Sequence, residues 1–199
     1  MRIIGGIAGG RLIKVPKGLG VRPTPDLVRQ AIFNSLGDRV NGATVLELFG
    51  GSGALSLECL SRGARSAVCI EKSGRHAAFI KDNLRQSGLP AAPLQVRVQD
   101  AFAAIAQLAA DGRRFDLIMA DPPYGEKNLG RRSESFAQRT LDDPHLPALL
   151  AGGGLLVLGH ARRDTVTLPP GWEERKALKH GDSVFRMLQR ATATDPETA

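Results

Sequence analysis

The sequence predicts a Rossmann-like α/β fold: a seven-stranded, mostly parallel sheet with an antiparallel C-terminal strand, extended at the N-terminus by a small β-hairpin. Three observations carry this expectation. Ala43 to Phe49 is an apolar strand run that passes through the glycine turn Gly50-Gly51-Ser52-Gly53 into a helix from Ala54 to Arg62. A second strand over 66–70 ends in Glu71, 20 residues beyond Gly51. Two later runs, 94–98 and 115–120, each end in an acid, Asp100 and Asp121, so alternating strands and helices deliver four carboxylates to one sheet edge.

The chain has 199 residues, enough for one α/β domain with a small appendage. Hydrophobic residues make up 42% and charged residues 24%, the balance of a globular protein and not of a disordered one. Lys and Arg number 27 against 20 Asp and Glu, a formal charge of +7, which favours a polyanionic partner. No run of 18 apolar residues and no signal-peptide pattern occurs, so a cytoplasmic protein without a membrane partner is expected. Cys59 and Cys69 lie within apolar periodic segments and outside any metal-ligand spacing; they read as buried free thiols in a reducing compartment.

Residues 1–20 are expected to form the hairpin extension, 21–190 the main domain and 191–199 a frayed tail. Glycines punctuate Arg2 to Gly6 and Gly9 to Pro16, with Arg2, Arg11, Lys14 and Lys17 placed outward, either on a phosphate backbone or simply in solvent. Thr24 is positioned to cap a helix with Pro25 at its first position and Asp26 in its first turn; the helix ends near Gly37. Arg22 stands just outside that cap.

The glycine turn brings backbone close to a nucleotide or nucleoside, but Ser56 occupies the place of the third glycine of the dinucleotide fingerprint. The first strand also carries Glu47, which repels a pyrophosphate and suits an ammonium or a water beside one. S-adenosylmethionine, with an amine and no phosphate, fits this better than NAD or ATP. Glu71 has the spacing of a ribose ligand. Asp100 suits an adenine amine with Ala101 and Phe102 as apolar edge, or a helix cap, and the two roles are compatible. His76 reads as a surface or supporting histidine, and Asn83 and Arg85 as exposed or structural residues. No metal is called for.

Asp121-Pro122-Pro123-Tyr124 is a stiff corner, because two prolines hold the backbone extended. It is either a plain proline turn or a clamp for a planar amine. As a clamp, Asp121 and the Pro122 carbonyl accept the two N–H groups and Tyr124 stacks on the base, which must be unpaired or flipped. Gly125 to Arg139 carries Lys127, Arg131, Arg132 and Arg139 without apolar periodicity, the pattern of a basic loop that either touches RNA or is solvated. Gly152-Gly153-Gly154 leads into a buried fifth strand over 155–158, closed by a basic tip at Gly159 to Arg163. The alternating run 181–188 suggests a final antiparallel pair.

The chain resembles the RsmD family, bacterial methyltransferases of guanine N2 in 16S ribosomal RNA. The resemblance lies in Arg22-Pro-Thr with the Val28 to Leu36 helix, Glu47-Leu-Phe-Gly-Gly-Ser-Gly-Ala-Leu-Ser-Leu-Glu58, Leu60-Ser-Arg-Gly-Ala64 and Asp121-Pro-Pro-Tyr124, and covers 1 to about 190. It implies a class I S-adenosylmethionine-dependent methyltransferase fold, methylation of guanine 966, and a substrate that is 16S RNA in a partly assembled 30S particle carrying ribosomal proteins. A monomer is expected. The catalytic residues are then Asp121, Pro122 and Tyr124. Cofactor binding falls to Glu47, Phe49, Gly51, Gly53, Glu71, Lys72, Asp100, Ala101 and Asp121, with Arg22 and Thr24 added by the family pattern. Substrate binding falls to Arg11, Lys14, Arg22, Tyr124, Lys127, Arg131 and Arg132. Two departures from the family stand out: Gly50 replaces a frequent alanine, a harmless shrinkage, and Gly159-His160 replaces a usual acid. The competing enzyme reading is an adenine-N6 or cytosine-N4 DNA methyltransferase, for which 199 residues leave little room for target recognition. The competing reading of another class is a non-catalytic RNA-binding assembly factor.

Overall fold

A computed structural model describes residues 1–16, 24–91, 93–124 and 132–191. Arg22, Lys17, Lys127, Arg131 and the tail beyond residue 191 lie outside them. The elements run α1 (Asp26–Leu36), β1 (Thr44–Leu48), α2 (Ala54–Ser61), β2 (Ser66–Glu71), α3 (Gly74–Ser87), β3 (Leu94–Val98), α4 (Ala101–Ala110), β4 (Phe115–Ala120), α5 (Phe136–Asp142), β5 (Leu150–Ala161), β6 (Trp172–His180) and β7 (Ser183–Arg190).

The strands form one seven-stranded sheet in the order β3-β2-β1-β4-β5-β7-β6. β1 to β5 pair in parallel, and β7 inserts antiparallel between β5 and β6. The expected seven strands, parallel majority and final antiparallel pair are all present. The order reverses between β1 and β4, and that switch point opens a crevice at the carboxyl ends of the strands.

Side-chain alternation divides the core into two layers. Val45, Ala67, Leu117, Met119 and Val157 face α1 and α2 on one side, while Leu46, Val68, Ile118, Leu156 and Leu158 face α4 and α5 on the other. Covering both faces is why these strands read as nearly continuous apolar runs. Every residue of α2 is buried, including Glu58, because this short helix lies between the sheet and the N-terminal arm.

The arm is tied down by long-range contacts. Arg2 and Leu12 form an antiparallel bridge, and Ile3, Ala8 and Ile13 join the core. Glu58 accepts hydrogen bonds from the Ile4 and Gly5 amides at 2.7 and 2.9 Å and from Arg62 Nε at 2.8 Å. Arg29, fully buried on α1, donates to Asp26 at 2.6 Å and to the Arg2 carbonyl at 2.5 Å, and lies 3.7 Å from Glu58. Arg2, Arg11 and Lys14 are exposed as expected, and Arg2 also pairs with Asp26 at 3.4 Å.

Three local expectations are corrected. Thr24 does not cap α1: the helix starts at Asp26, the cap position is Pro25, and no side chain caps it. The Thr24 hydroxyl is instead engaged with a residue 97 positions away. The basic stretch assigned to a loop as far as Arg139 ends in α5, which starts at Phe136 under a Ser135 cap that accepts from the Gln138 amide. At seven residues α5 is too short to show a convincing apolar period. β5 begins at Leu150, ahead of the glycine triplet, and continues through Gly159 and His160 to Ala161, so those two residues lie within the strand and not beyond its end.

Candidate functional site

The crevice contains a cavity of about 700 Å³, within the usual range for a small-molecule site. Its walls bring together Thr24, Glu47, Phe49, Gly51, Glu71, Lys72, Asp100, Ala101, Asp121, Pro122 and Tyr124. Those expected site residues therefore share one space. Gly53 is one turn removed: it opens α2 at φ 74°, and a Cβ there would lie 2.7 Å from Ile80 Cγ2. Arg11, Lys14 and Arg132 do not line the cavity. Arg132 pairs with Asp142 at 2.6 Å, whereas the Lys14 backbone is held by Asn83.

On the β1–β2 side, Glu71 organises the floor. One oxygen accepts the Gly51 amide at 2.7 Å; the other accepts the Ser73 amide at 2.7 Å and faces His76 Nδ1 at 3.7 Å. Each carboxylate oxygen keeps acceptor capacity toward the cavity. Asp100 fills both roles open to it in part: it caps α4 through the Phe102 and Ala103 amides at 3.0 and 3.4 Å, and it lines the cavity while pairing with Lys72 at 3.4 Å. Partial burial opposes its ionisation, but those amides and Lys72 hold its carboxyl below the usual range.

Glu47 is buried beneath this floor. Its Oε2 accepts the Ser56 amide at 3.0 Å, the Ser56 hydroxyl, and Cys69 Sγ at 3.3 Å. Burial raises its pKa to about 7 against the pull of these bonds. Ser56 thus has a purpose in the place of the third glycine: it is wholly buried and anchors the acid of β1. The Gly50 substitution is not neutral shrinkage either, since a Cβ there would lie 2.4 Å from Cys69 Sγ; the thiol occupies the room an alanine would need. Both cysteines are buried and free.

The wall beside Asp100 is aromatic. Phe49, Phe102 and Phe136 have ring centroids 5.9 to 6.1 Å apart, and the Arg139 guanidinium lies 4.4 Å from the Phe102 ring and 5.3 Å from that of Phe136. Phe49 is the sole described non-glycine residue with positive φ, at 62°, a strained backbone placed where the loop leaves β1. Phe136 and Arg139 had no recognisable sequence signal, because their partners are Phe49 and Phe102, which lie far away in the chain.

At the opposite wall, Asp121 leaves β4. Its Oδ2 accepts the Thr24 hydroxyl at 2.5 Å, and its Oδ1 is shut from solvent with no hydrogen-bond partner among the described residues. Burial raises its pKa to about 6, with the Thr24 bond pulling the other way. Gly159 on β5 is what lets this carboxylate fit: a Cβ there would stand 2.5 Å from Oδ1 and 2.7 Å from Cε1 of Phe185. The Tyr124 hydroxyl bonds Ser183 Oγ at 2.8 Å, so β7 reaches the corner as well.

Chemically, this arrangement offers neutral-to-acidic acceptors and aromatic faces around a cavity. Among the described residues no group of three or more potential ligands is placed to hold a metal ion. None of the helices is long and apolar enough to cross a membrane, among the described residues.

A family model described as Conserved hypothetical protein 95 matches residues 1–189. The chain is 36% identical over 169 residues to a putative rRNA methyltransferase, YlbH, of Bacillus subtilis, spanning 85% of this chain and 86% of that protein. It is 32% identical over 191 residues to ribosomal RNA small subunit methyltransferase D of Escherichia coli, spanning 96% and 90%. Among solved structures, the putative methyltransferase yhhF from Escherichia coli matches with a TM-score of 0.75 at 32% identity, covering 96% of this chain and 97% of that one.

Proposed function

We propose a function from one premise: the chain belongs to the Conserved hypothetical protein 95 family and has the class I S-adenosylmethionine-dependent methyltransferase fold. It transfers a methyl group to the exocyclic N2 amine of a guanine in 16S ribosomal RNA, the position of guanine 966, on a partly assembled 30S particle. The observation that carries this is the half-buried Asp121 carboxylate, held by Thr24, in one cavity with the Glu71 and Gly51 floor. The names of the relatives supply the RNA, and the net charge of +7 agrees with a polyanionic substrate.

The residues present fit the cofactor. The cavity is large enough, Glu71 has lone pairs left for the two ribose hydroxyls, and Asp100 with the lining rings of Phe49 and Phe136, backed by Phe102, suits adenine. When bound, S-adenosylmethionine supplies an electrophilic methyl on a sulfonium whose leaving group is a neutral thioether. Opposite that floor, Asp121 and the Pro122 carbonyl accept the amine N–H groups, and the Tyr124 ring stacks on the flipped base. Asp121 takes the amine proton as the nitrogen–carbon bond forms and passes it to solvent. Its pKa of about 6 leaves it ionised and ready to accept that proton at neutral pH.

Labelled S-adenosylmethionine with 30S assembly intermediates from cells lacking the protein tests the proposal, with free 16S RNA in parallel. Methyl incorporation at one guanine N2 is expected. Asp121→Ala should lower turnover roughly 100- to 1,000-fold, the loss typical of a group that acts on the reacting atoms, while cofactor affinity is kept. Full turnover by Asp121→Ala would overturn the assignment.

A further inference from the structure

Resting on that reading of Asp121, we infer that Thr24 is a positioning residue for the transfer: its hydroxyl holds Asp121 Oδ2 while Oδ1 is seated under Gly159, and the two holds together fix the carboxylate in one orientation toward the substrate amine. Three observations meet here. The Thr24 hydroxyl donates to Oδ2 at 2.5 Å from a segment that contributes no helix cap, so its one proton is committed to this contact. Oδ1 is buried and, among the described residues, unpartnered, although a buried carboxylate oxygen ordinarily has a donor. Oδ1 is seated against the bare backbone of Gly159, where a Cβ would stand 2.5 Å from it and 2.7 Å from Phe185 Cε1. A carboxylate held at both oxygens in this way presents a single orientation to the cavity that it lines with Thr24, where the planar amine of a base is the donor it meets.

The charge state of Asp121 follows from the same geometry. Thr24, which bonds it, and Gly159, on which Oδ1 is seated, are uncharged. On the other elements around it, Glu47 lies on β1, Glu71, Lys72 and His76 on β2 and the start of α3, Asp100 before α4, Tyr124 beyond the corner and Arg163 after β5, all lining the cavity. Asp26 lies two residues beyond Thr24 and is committed to Arg29 and Arg2. On β5 and β7 the nearest titratable groups are His160 and Arg186, and Arg186 is bonded to Glu174 and the Val166 carbonyl. Burial drives the Asp121 pKa up, and the hydrogen bond that opposes this comes from Thr24. Removing that hydroxyl moves the protonation midpoint of Asp121 upward from about 6.

The test is Thr24→Val against Thr24→Ser, with Gly159→Ala as a second, independent probe of Oδ1. Carbon-13 NMR of aspartate-labelled protein, with the Asp121 signal assigned by its loss in Asp121→Asn, reads the midpoint without substrate. Thr24→Val should raise the midpoint and shift the acid limb of the kcat profile with it. At pH 7 kcat should fall roughly 10- to 100-fold, the range of a lost hydrogen bond to a charged group, with KM for RNA and cofactor affinity unchanged. Thr24→Ser should restore both, and Gly159→Ala should lower kcat with cofactor affinity retained. An active wild type whose Thr24→Val variant titrates and turns over like it overturns the inference alone. So does a Thr24→Val defect confined to cofactor affinity, or a fully active Gly159→Ala. A wild type inactive on every RNA overturns the methyl-transfer reading and this inference with it.

Discussion

Glu58, beneath the N-terminal arm, and Glu47, in the crevice, are buried, and Asp121 is half-buried with its Oδ1 shut from solvent, yet the fold treats the first and the other two in opposite ways. Glu58 meets two arginines and two backbone amides. Glu47 meets a serine and a thiol, and Asp121 a single threonine hydroxyl. Cations neutralise the first, so it serves to clamp the arm onto α1 and α2. Neutral donors leave the other two underpaired, and burial lifts their pKa values to about 7 and about 6. Cationic partners mark the buried acid beneath the arm, and neutral donors mark Glu47 and Asp121 in the crevice.

The largest effect that would break this contrast is on stability. Glu58→Ala removes one of the two carboxylates beside buried Arg29, leaving Asp26, and frees the Ile4 and Gly5 amides, a loss of about 3–5 kcal/mol. For a domain of this size the melting temperature should drop on the order of 10 °C by calorimetry. The surviving folded protein should keep its affinity for the cofactor, because Glu58 does not line the cavity. An unchanged melting temperature would mean that the cluster clamps nothing.

These two regions were also unequally legible in the sequence. The crevice was readable because each part is a local signal at a strand end: a glycine turn after β1, an acid at the required distance, two prolines after β4. The Arg29–Glu58 cluster gave no such signal, since its members are 29 residues apart and each looks like an ordinary charge on a helix. Thr24 was misread for a related reason. Threonine before a proline and an acid is a good cap by residue type, and only the tertiary fold shows its hydroxyl turned to Asp121 instead. Asn83 likewise proved structural, but buried: it ties the Lys14 backbone to the Ser52 carbonyl and so joins the arm to the glycine turn.

A second, smaller effect sharpens the contrast from the side of the crevice. The folded pKa of Glu47, about 7, lies above the 4.5 of a free glutamate side chain. The native state therefore binds the proton more tightly than the unfolded chain between those values, and stability falls as pH rises through that window. The difference of 2.5 units corresponds to about 3 kcal/mol between pH 4 and pH 8. Glu47→Gln removes this ionisation, so its denaturation free energy should fall less than that of the wild type over the same range. Parallel pH dependences of the two proteins in urea titrations would show that Glu47 is not held near neutrality by burial.

The smallest effect concerns the corner itself, where the bonded side chain is a neutral one rather than an acid. Tyr124→Phe keeps the ring that stacks and removes the oxygen bonded to Ser183; Ser183→Ala removes the other end of that 2.8 Å bond. Each change should cost about 0.5–1.5 kcal/mol, a few-fold in kcat/KM on RNA, with the cofactor affinity untouched. Because both remove one contact, the double variant should be no worse than the poorer single one. Additive losses would mean that Tyr124 and Ser183 act separately. Coupled losses would identify β7, the one strand that runs against the rest of the sheet, as the element that aims the aromatic ring of the corner at the base.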